Sequence, residues 1–141
     1  MALRMTRQRM LILEELMRLK THPTAYELHA IVKRTLPQIS LGTVYRNLEQ
    51  LSASGRCQRL AFGSGNRRYD GNTEAHHHLC CLECGRVDDL PADGHEIEHV
   101  LKAALGEVCG YRVTGVSIEL YGICPACKKR ETTKNKKTIR R

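Results

Sequence analysis

The sequence contains no apolar stretch approaching the roughly 18 residues that a membrane-crossing helix needs, which excludes an integral helical membrane protein. No apolar leader is expected either, since in the opening MALRMTRQRM the residues Arg4, Arg7 and Arg9 interrupt any signal-peptide core. Tryptophan is absent, phenylalanine occurs once, and aromatic residues make up only 4% of the 141 residues. No internal repeat is visible. What is present suffices for a folded chain. Apolar residues reach 41% and recur through most of the length, which excludes a fully disordered protein. With no secretion signal the expected location is a reducing cytoplasm, where paired cysteines read as metal ligands before disulfides.

Lys and Arg number 23 against 15 Asp and Glu, a net charge of +8. Such a balance favours an anionic partner, nucleic acid first. The charge is unevenly placed. Residues 1–70 carry +7, residues 71–127 carry −6 and residues 128–141 carry +7 again. This asymmetry suggests a nucleic-acid-facing lobe joined to a lobe with other work.

The pattern divides the chain at about residue 71. In the first part, Met10, Leu11, Leu13, Leu16, Met17 and Leu19 recur at helical spacing from Thr6 to just before His22-Pro23. Thr24 and Glu27 form a capping box that opens a second helix running to about Leu36, with Pro37 as its stop. Ser40 caps a third, with Val44, Leu48 and Leu51 inward and Gly55 as terminator. Two extended runs, Arg56–Phe62 and Arg67–Gly71, flank a Gly63–Asn66 joint with hairpin chemistry. Three helices and a hairpin make a winged helix-turn-helix over residues 1–71. The third helix would read DNA through Thr43, Tyr45, Arg46 and Asn47 behind the Ser40 cap, with Arg67 and Arg68 on phosphates. A protein-interaction module of the same shape is the alternative.

Residues 72–127 alternate strand-like runs with one helix. Asp93 and Glu96 form a capping box, and Ile97, Val100, Leu101, Ala104 and Leu105 make an amphipathic face. Tyr111–Ile123 reads as one long, imperfectly alternating strand. The fold class is therefore α+β, a winged helix followed by an α/β lobe. Residues 128–141 have almost no apolar content and read as a disordered basic tail.

Chemistry concentrates in the second lobe. Cys81 and Cys84 form one CxxC, Cys124 and Cys127 another, together the four thiolates of a closed tetrahedral zinc site. A redox dithiol or two disulfides are the alternatives. Cys57, Cys80 and Cys109 read as small buried apolar residues, Cys80 facing away from Cys81. On a strand, His76 and His78 share a face while His77 points away. A fold-back about the Cys81–Cys84 turn places residue 89 opposite residue 78, bringing Asp89 to that face. Asp70 at the lobe junction and His22 at a helix end are further candidate ligands. Such a nitrogen and oxygen set suits Fe(II), Mn(II) or Co(II). Surface histidines beside solvated carboxylates are the alternative, and His29, His77, His95 and His99 carry no signal of their own.

The arrangement resembles the ferric uptake regulator superfamily. The matching stretches, in order over about residues 4–127, are Met5-Thr-Arg-Gln-Arg9, His22-Pro-Thr-Ala25, Gly42-Thr-Val-Tyr-Arg-Asn-Leu48, Arg68-Tyr-Asp70, His76-His-His-Leu-Cys-Cys-Leu-Glu-Cys-Gly85 and Tyr121-Gly-Ile-Cys-Pro-Ala-Cys127. The resemblance implies a homodimeric, metal-dependent repressor, not an enzyme, whose winged helix reads a palindromic double-stranded operator and whose C-terminal lobe dimerises. Within the superfamily the chain is most similar to the peroxide-sensing branch. That branch implies a regulatory Fe(II) or Mn(II) on His22, Asp70, His76, His78 and Asp89, with His22 or His76 oxidised when Fe(II) meets peroxide. Iron-responsive members more often carry Glu at the positions of Asp70 and Asp89. The alternatives are a divalent-metal-responsive repressor without histidine oxidation, a dithiol oxidoreductase using Cys81 and Cys84, and an RNA-binding zinc-ribbon protein.

Overall fold

The computed structural model describes residues 3–61, 66–91 and 94–138. It forms two compact units, Met1–Glu74 and Ala75–Arg141. No helix among the described residues is long and apolar enough to cross a membrane.

In the first unit, α1 (Arg7–Arg18) starts where the Thr6 hydroxyl accepts from the Arg9 N–H. The expected capping box opens α2 (Ala25–Val32): the Glu27 N–H donates to Thr24 Oγ1 at 3.2 Å and the Thr24 N–H to Glu27 Oε2 at 2.9 Å. This helix ends at Val32, short of the expected Leu36. Pro37 bars Leu36 from helical backbone, and the chain tightens into turns closed by Arg34 N–H to Ile31 O and Thr35 N–H to Val32 O. The third helix, α3 (Leu41–Ala53), has Ser40 as its cap, and Gly55 at φ 73° ends it as the sequence predicts. The strands β1 (Gln58–Leu60) and β2 (Arg68–Asp70) pair antiparallel, with Arg59 opposite Tyr69. Residues 62–65 of the expected turn lie outside the described residues.

One core joins these elements. Ile12, Leu16, Leu28, Val32, Val44, Leu48, Leu51 and Tyr69 are fully buried. Each such aliphatic side chain contributes about 1.5–3 kcal/mol of burial. Tyr69 keeps its hydroxyl satisfied by donating to Glu49 at 2.8 Å. Gly71 marks where β2 leaves against α1: a Cβ there would lie 2.8 Å from the Met17 Cα.

The second unit is built on a three-stranded sheet in the order β4-β3-β7. A turn at residues 82–85, with Gly85 at φ 70°, joins β3 (His78–Cys81) to antiparallel β4 (Val87–Asp89). After α4 (Gly94–Leu105) comes a small hairpin of β5 (Glu107–Val108) and β6 (Tyr111–Arg112), followed by β7 (Glu119–Gly122), which runs parallel to β3. The expected single strand over 111–123 is thus broken, and Gly115 lies in the unpaired interval. Asp93, the expected cap of α4, lies outside the described residues. The amphipathic face of α4 is largely uncovered within the chain, with Val100 66% exposed. Cys109 is also exposed, not buried as expected, because it sits at φ 52° beside Gly110 at φ 80° in the β5–β6 turn.

The chain closes with α5 (Pro125–Thr138). Residues 128–138 are therefore helical, in place of the disordered tail that composition suggested. Pro125 suits the first helical position, the Lys128 N–H donates to Cys124 O, and Thr132 and Thr133 donate back to Lys128 O and Lys129 O. Basic residues also suit the later turns of a helix.

Gly71→Ala is expected to destabilise the first unit by about 1–3 kcal/mol, the cost of forcing atoms into a packed contact. A lowered urea midpoint at unchanged slope would show it, and a wild-type midpoint would contradict the close approach of β2 to α1.

Candidate metal centres and nucleic-acid interface

The pairing of β3 with β7 sets Cys81 opposite Gly122. It thereby brings together two CxxC segments that lie far apart in sequence. Cys81 ends β3, Cys84 lies in the following turn, Cys124 precedes α5 and Cys127 lies in its first turn. Their four sulfurs lie within 4.8 Å of one another. The Cys84 and Cys124 sulfurs stand 3.9 Å apart. That is too far for a disulfide and close to the edge of about 3.8 Å that Zn–S bonds of 2.3 Å give a tetrahedron. Hydrogen bonds from the Cys124 and Cys84 backbone lower the Cys81 thiol to about 6. Burial pushes Cys127 up to about 12, against the Arg130 guanidinium, which donates to its sulfur. Cys57 is likewise buried and raised to about 11, the behaviour of an inert thiol. Four converging sulfurs fit a structural zinc ion.

The two units each hold part of the second candidate ligand set. In the first, His22 is 2% exposed and its Nε2 lies 3.2 Å from Asp70 Oδ2. His22 stands at φ 48°, a left-handed backbone that costs a non-glycine residue on the order of 1–3 kcal/mol and clusters at functional positions. The surrounding structure holds it there. The Tyr69 N–H donates to Pro23 O at 2.9 Å and Arg68 donates to His22 O at 3.0 Å. The other oxygen of Asp70 accepts from the Asn72 N–H at 2.8 Å, and the Asn72 side chain in turn accepts from the Glu74 N–H.

In the second unit the β3–β4 register sets His78 opposite Asp89, as the fold-back reading predicts. Asp89 Oδ1 lies 3.1 Å from His76 Nε2 and 3.9 Å from His78 Nε2. The two imidazole rings are 4.5 Å apart. His77 points elsewhere, but it is no bland surface residue. It is buried, its Nε2 lies 3.2 Å from Glu98 Oε2, and its Nδ1 accepts from the Ile118 N–H at 3.3 Å.

The expected DNA-reading residues separate into two groups. Tyr45 and Arg46 are exposed on α3, Thr43 is half-buried beside them, and Ser40 spends its hydroxyl as the cap. Arg67 is exposed, 3.8 Å from Glu49. Asn47 and Arg68 correct the sequence reading. Asn47 is 7% exposed, donates to Thr43 O at 2.8 Å and accepts from Arg9 Nε at 3.1 Å, so it locks α3 to α1. Arg68 is mostly covered and held by His22 O and Glu27 Oε2. Helical periodicity placed Asn47 on the outer face but carried no sign of Arg9 as its partner.

Removing zinc with a strong chelator, or replacing Cys84 by Ser, should unfold the second unit, because metal-binding and folding free energies are shared in such sites. Circular dichroism with zinc analysis reads this, and an unchanged spectrum after complete zinc loss would contradict it.

Comparison with known proteins identifies the family. The Ferric uptake regulator family matches residues 1–121. The peroxide operon regulator of Bacillus subtilis is 35% identical over 128 residues, covering 91% of this chain and 86% of that protein. The Campylobacter jejuni peroxide stress regulator superposes with a TM-score of 0.66 at 32% identity, covering 85% of this chain and 88% of that one. The Vibrio cholerae ferric uptake regulator does so with a TM-score of 0.68 at 33% identity, covering 86% and 92%. The chain belongs to the ferric uptake regulator family and is a metal-dependent transcriptional repressor, not an enzyme.

Proposed function

We propose that this repressor senses peroxide through one Fe(II) or Mn(II) ion held by His22 and Asp70 from the first unit and His76, His78 and Asp89 from the second. The observation that carries this reading is the donor set. Three imidazoles and two carboxylates, preassembled as a His22–Asp70 pair and a His76–His78–Asp89 cluster, offer no thiolate to favour zinc. The B. subtilis and C. jejuni relatives, both named for peroxide, support the same choice.

In this reading the two half-sets close on one ion and hold the DNA-binding unit in the orientation that fits an operator. Two copies of the chain, associated through the second unit, present two α3 helices to successive major-groove half-sites of a palindromic duplex. The uncovered apolar face of α4 is available for that association. Fe(II) held by these residues would supply the reducing equivalents for peroxide, whereas Mn(II) would support repression without that chemistry. His22 and His76 are the ligands expected to be oxidised. An oxidised imidazole is a poorer ligand, so the half-sets part and the operator is released. Operator binding places the protein in the cytoplasm.

The deciding experiment is mass spectrometry of iron-loaded protein after brief peroxide exposure, read beside operator binding. One added oxygen on the His22 or His76 peptide, rising as DNA binding falls, is expected. Loss of DNA binding with both histidines unmodified would leave a divalent-metal-responsive repressor instead. On the DNA side, Arg46→Ala is expected to cost about 1–3 kcal/mol of operator affinity and to relax preference at one base pair. Equal affinity for operator and mutated operator in the wild-type protein would contradict the α3 readout.

A further inference from the structure

The histidine between the two ligands in the second unit is held by more partners than either side of a simple strand would supply. The ring of His77 accepts from the Ile118 N–H through Nδ1, which fixes its proton on Nε2, and that nitrogen faces Glu98 Oε2 on α4 at 3.2 Å. Lys102, one turn along α4, ion-pairs with the other oxygen of Glu98 and holds that carboxyl below its usual range. The backbone of His77 is committed as well, since its carbonyl accepts from the Leu90 N–H at 2.8 Å just beyond β4. The next residue, His78, donates its N–H to Ile118 O at 3.2 Å. Residue 77 is therefore tied on three sides: to the end of β4, to the segment entering β7, and to α4.

From this geometry we propose that His77 is a positioning residue for the metal site, its ring locking the strand so that His76 and His78 both face Asp89. The proposal rests on the metal reading above. Its physical basis is the alternation of side chains along an extended chain. Neighbours of a residue whose ring is pinned to one face must present theirs to the other, and they do so with little freedom. His76 precedes β3, and its orientation follows that of the residue next to it in the extended chain. The ring of His77 supplies that constraint. Outer residues that orient ligands in this way are worth about 10–100-fold in metal affinity.

The test uses the full chain, zinc-replete, titrated with Mn(II) alone under calorimetry. His77→Ala is expected to weaken Mn(II) binding by about 10–100-fold while the zinc content stays at one per chain. His77→Gln, whose amide can accept from Ile118 and donate to Glu98, is expected to restore most of that loss. Glu98→Ala removes one tether and leaves the ring, so it should weaken Mn(II) less than His77→Ala, and it carries the comparison if His77→Ala does not fold. A merely structural role would lower thermal stability and leave Mn(II) affinity unmoved. Wild-type affinity in a folded His77→Ala or Glu98→Ala protein would overturn the proposal alone. A wild-type chain that binds no Mn(II), or one whose His76→Ala variant binds it equally well, would overturn the metal reading itself.

Discussion

The parallel pairing of β3 with β7 is the contact on which the second unit depends. Among its described residues the buried apolar side chains are Cys80, Cys81, Val87 and Cys127, half of them members of the sulfur cluster. So small a core supplies little burial free energy, and a metal staple is the usual remedy in such a lobe. The pairing sets Cys81 beside Gly122, which puts Cys124 within reach of Cys81 and Cys84. It also sets His78 opposite Glu119 on one side, while β4 sets it opposite Asp89 on the other. One register thus serves both the structural cluster and the candidate sensory ligands.

The first unit solves a different problem by ordinary means. Its core gathers aliphatic side chains around Tyr69, whose hydroxyl finds Glu49, and three capped helices supply the frame. That surplus of packing is what tolerates His22 in a left-handed conformation and Asp70 nearly out of water. The half-buried Arg9–Asn47 contact extends the same frame to α3. The residues facing outward on α3 are carried by a rigid helix, not a loop.

Much of this was legible from residue order. Helix caps at Thr24 and Ser40 depend on local chemistry, and so do the terminator at Gly55 and the register between His78 and Asp89. Each involves residues close in sequence, where spacing and geometry are nearly the same statement. The misreadings share the opposite character. Asn47 looked like an outward polar residue because nothing local announces a partner on α1. Arg68 looked free for phosphate because its acceptors, His22 and Glu27, belong to elements far back in the chain. His77 drew no notice for the same reason, since Glu98 and Ile118 are remote. The helical α5 was hidden by composition: a run of like charges suggests solvation, and the anchoring of its first turn in the cysteine cluster outweighs that.

Asp70 has a consequence that concerns length more than charge. One carboxylate oxygen faces His22 and the other closes a tight turn with the Asn72 N–H, while Asn72 repeats the gesture two residues on with Glu74. A side chain can bond its own backbone two residues ahead in this way only if it is as short as aspartate or asparagine. Glutamate would still offer two oxygens to a cation, but an extra methylene would carry them past the turn. The choice between the two acids at this position is therefore also a choice about the shape of the peptide that leads from one unit toward the other. The carboxylate that faces His22 also shapes the turn after it, and a chain that lengthened this side chain would have to fold that turn anew.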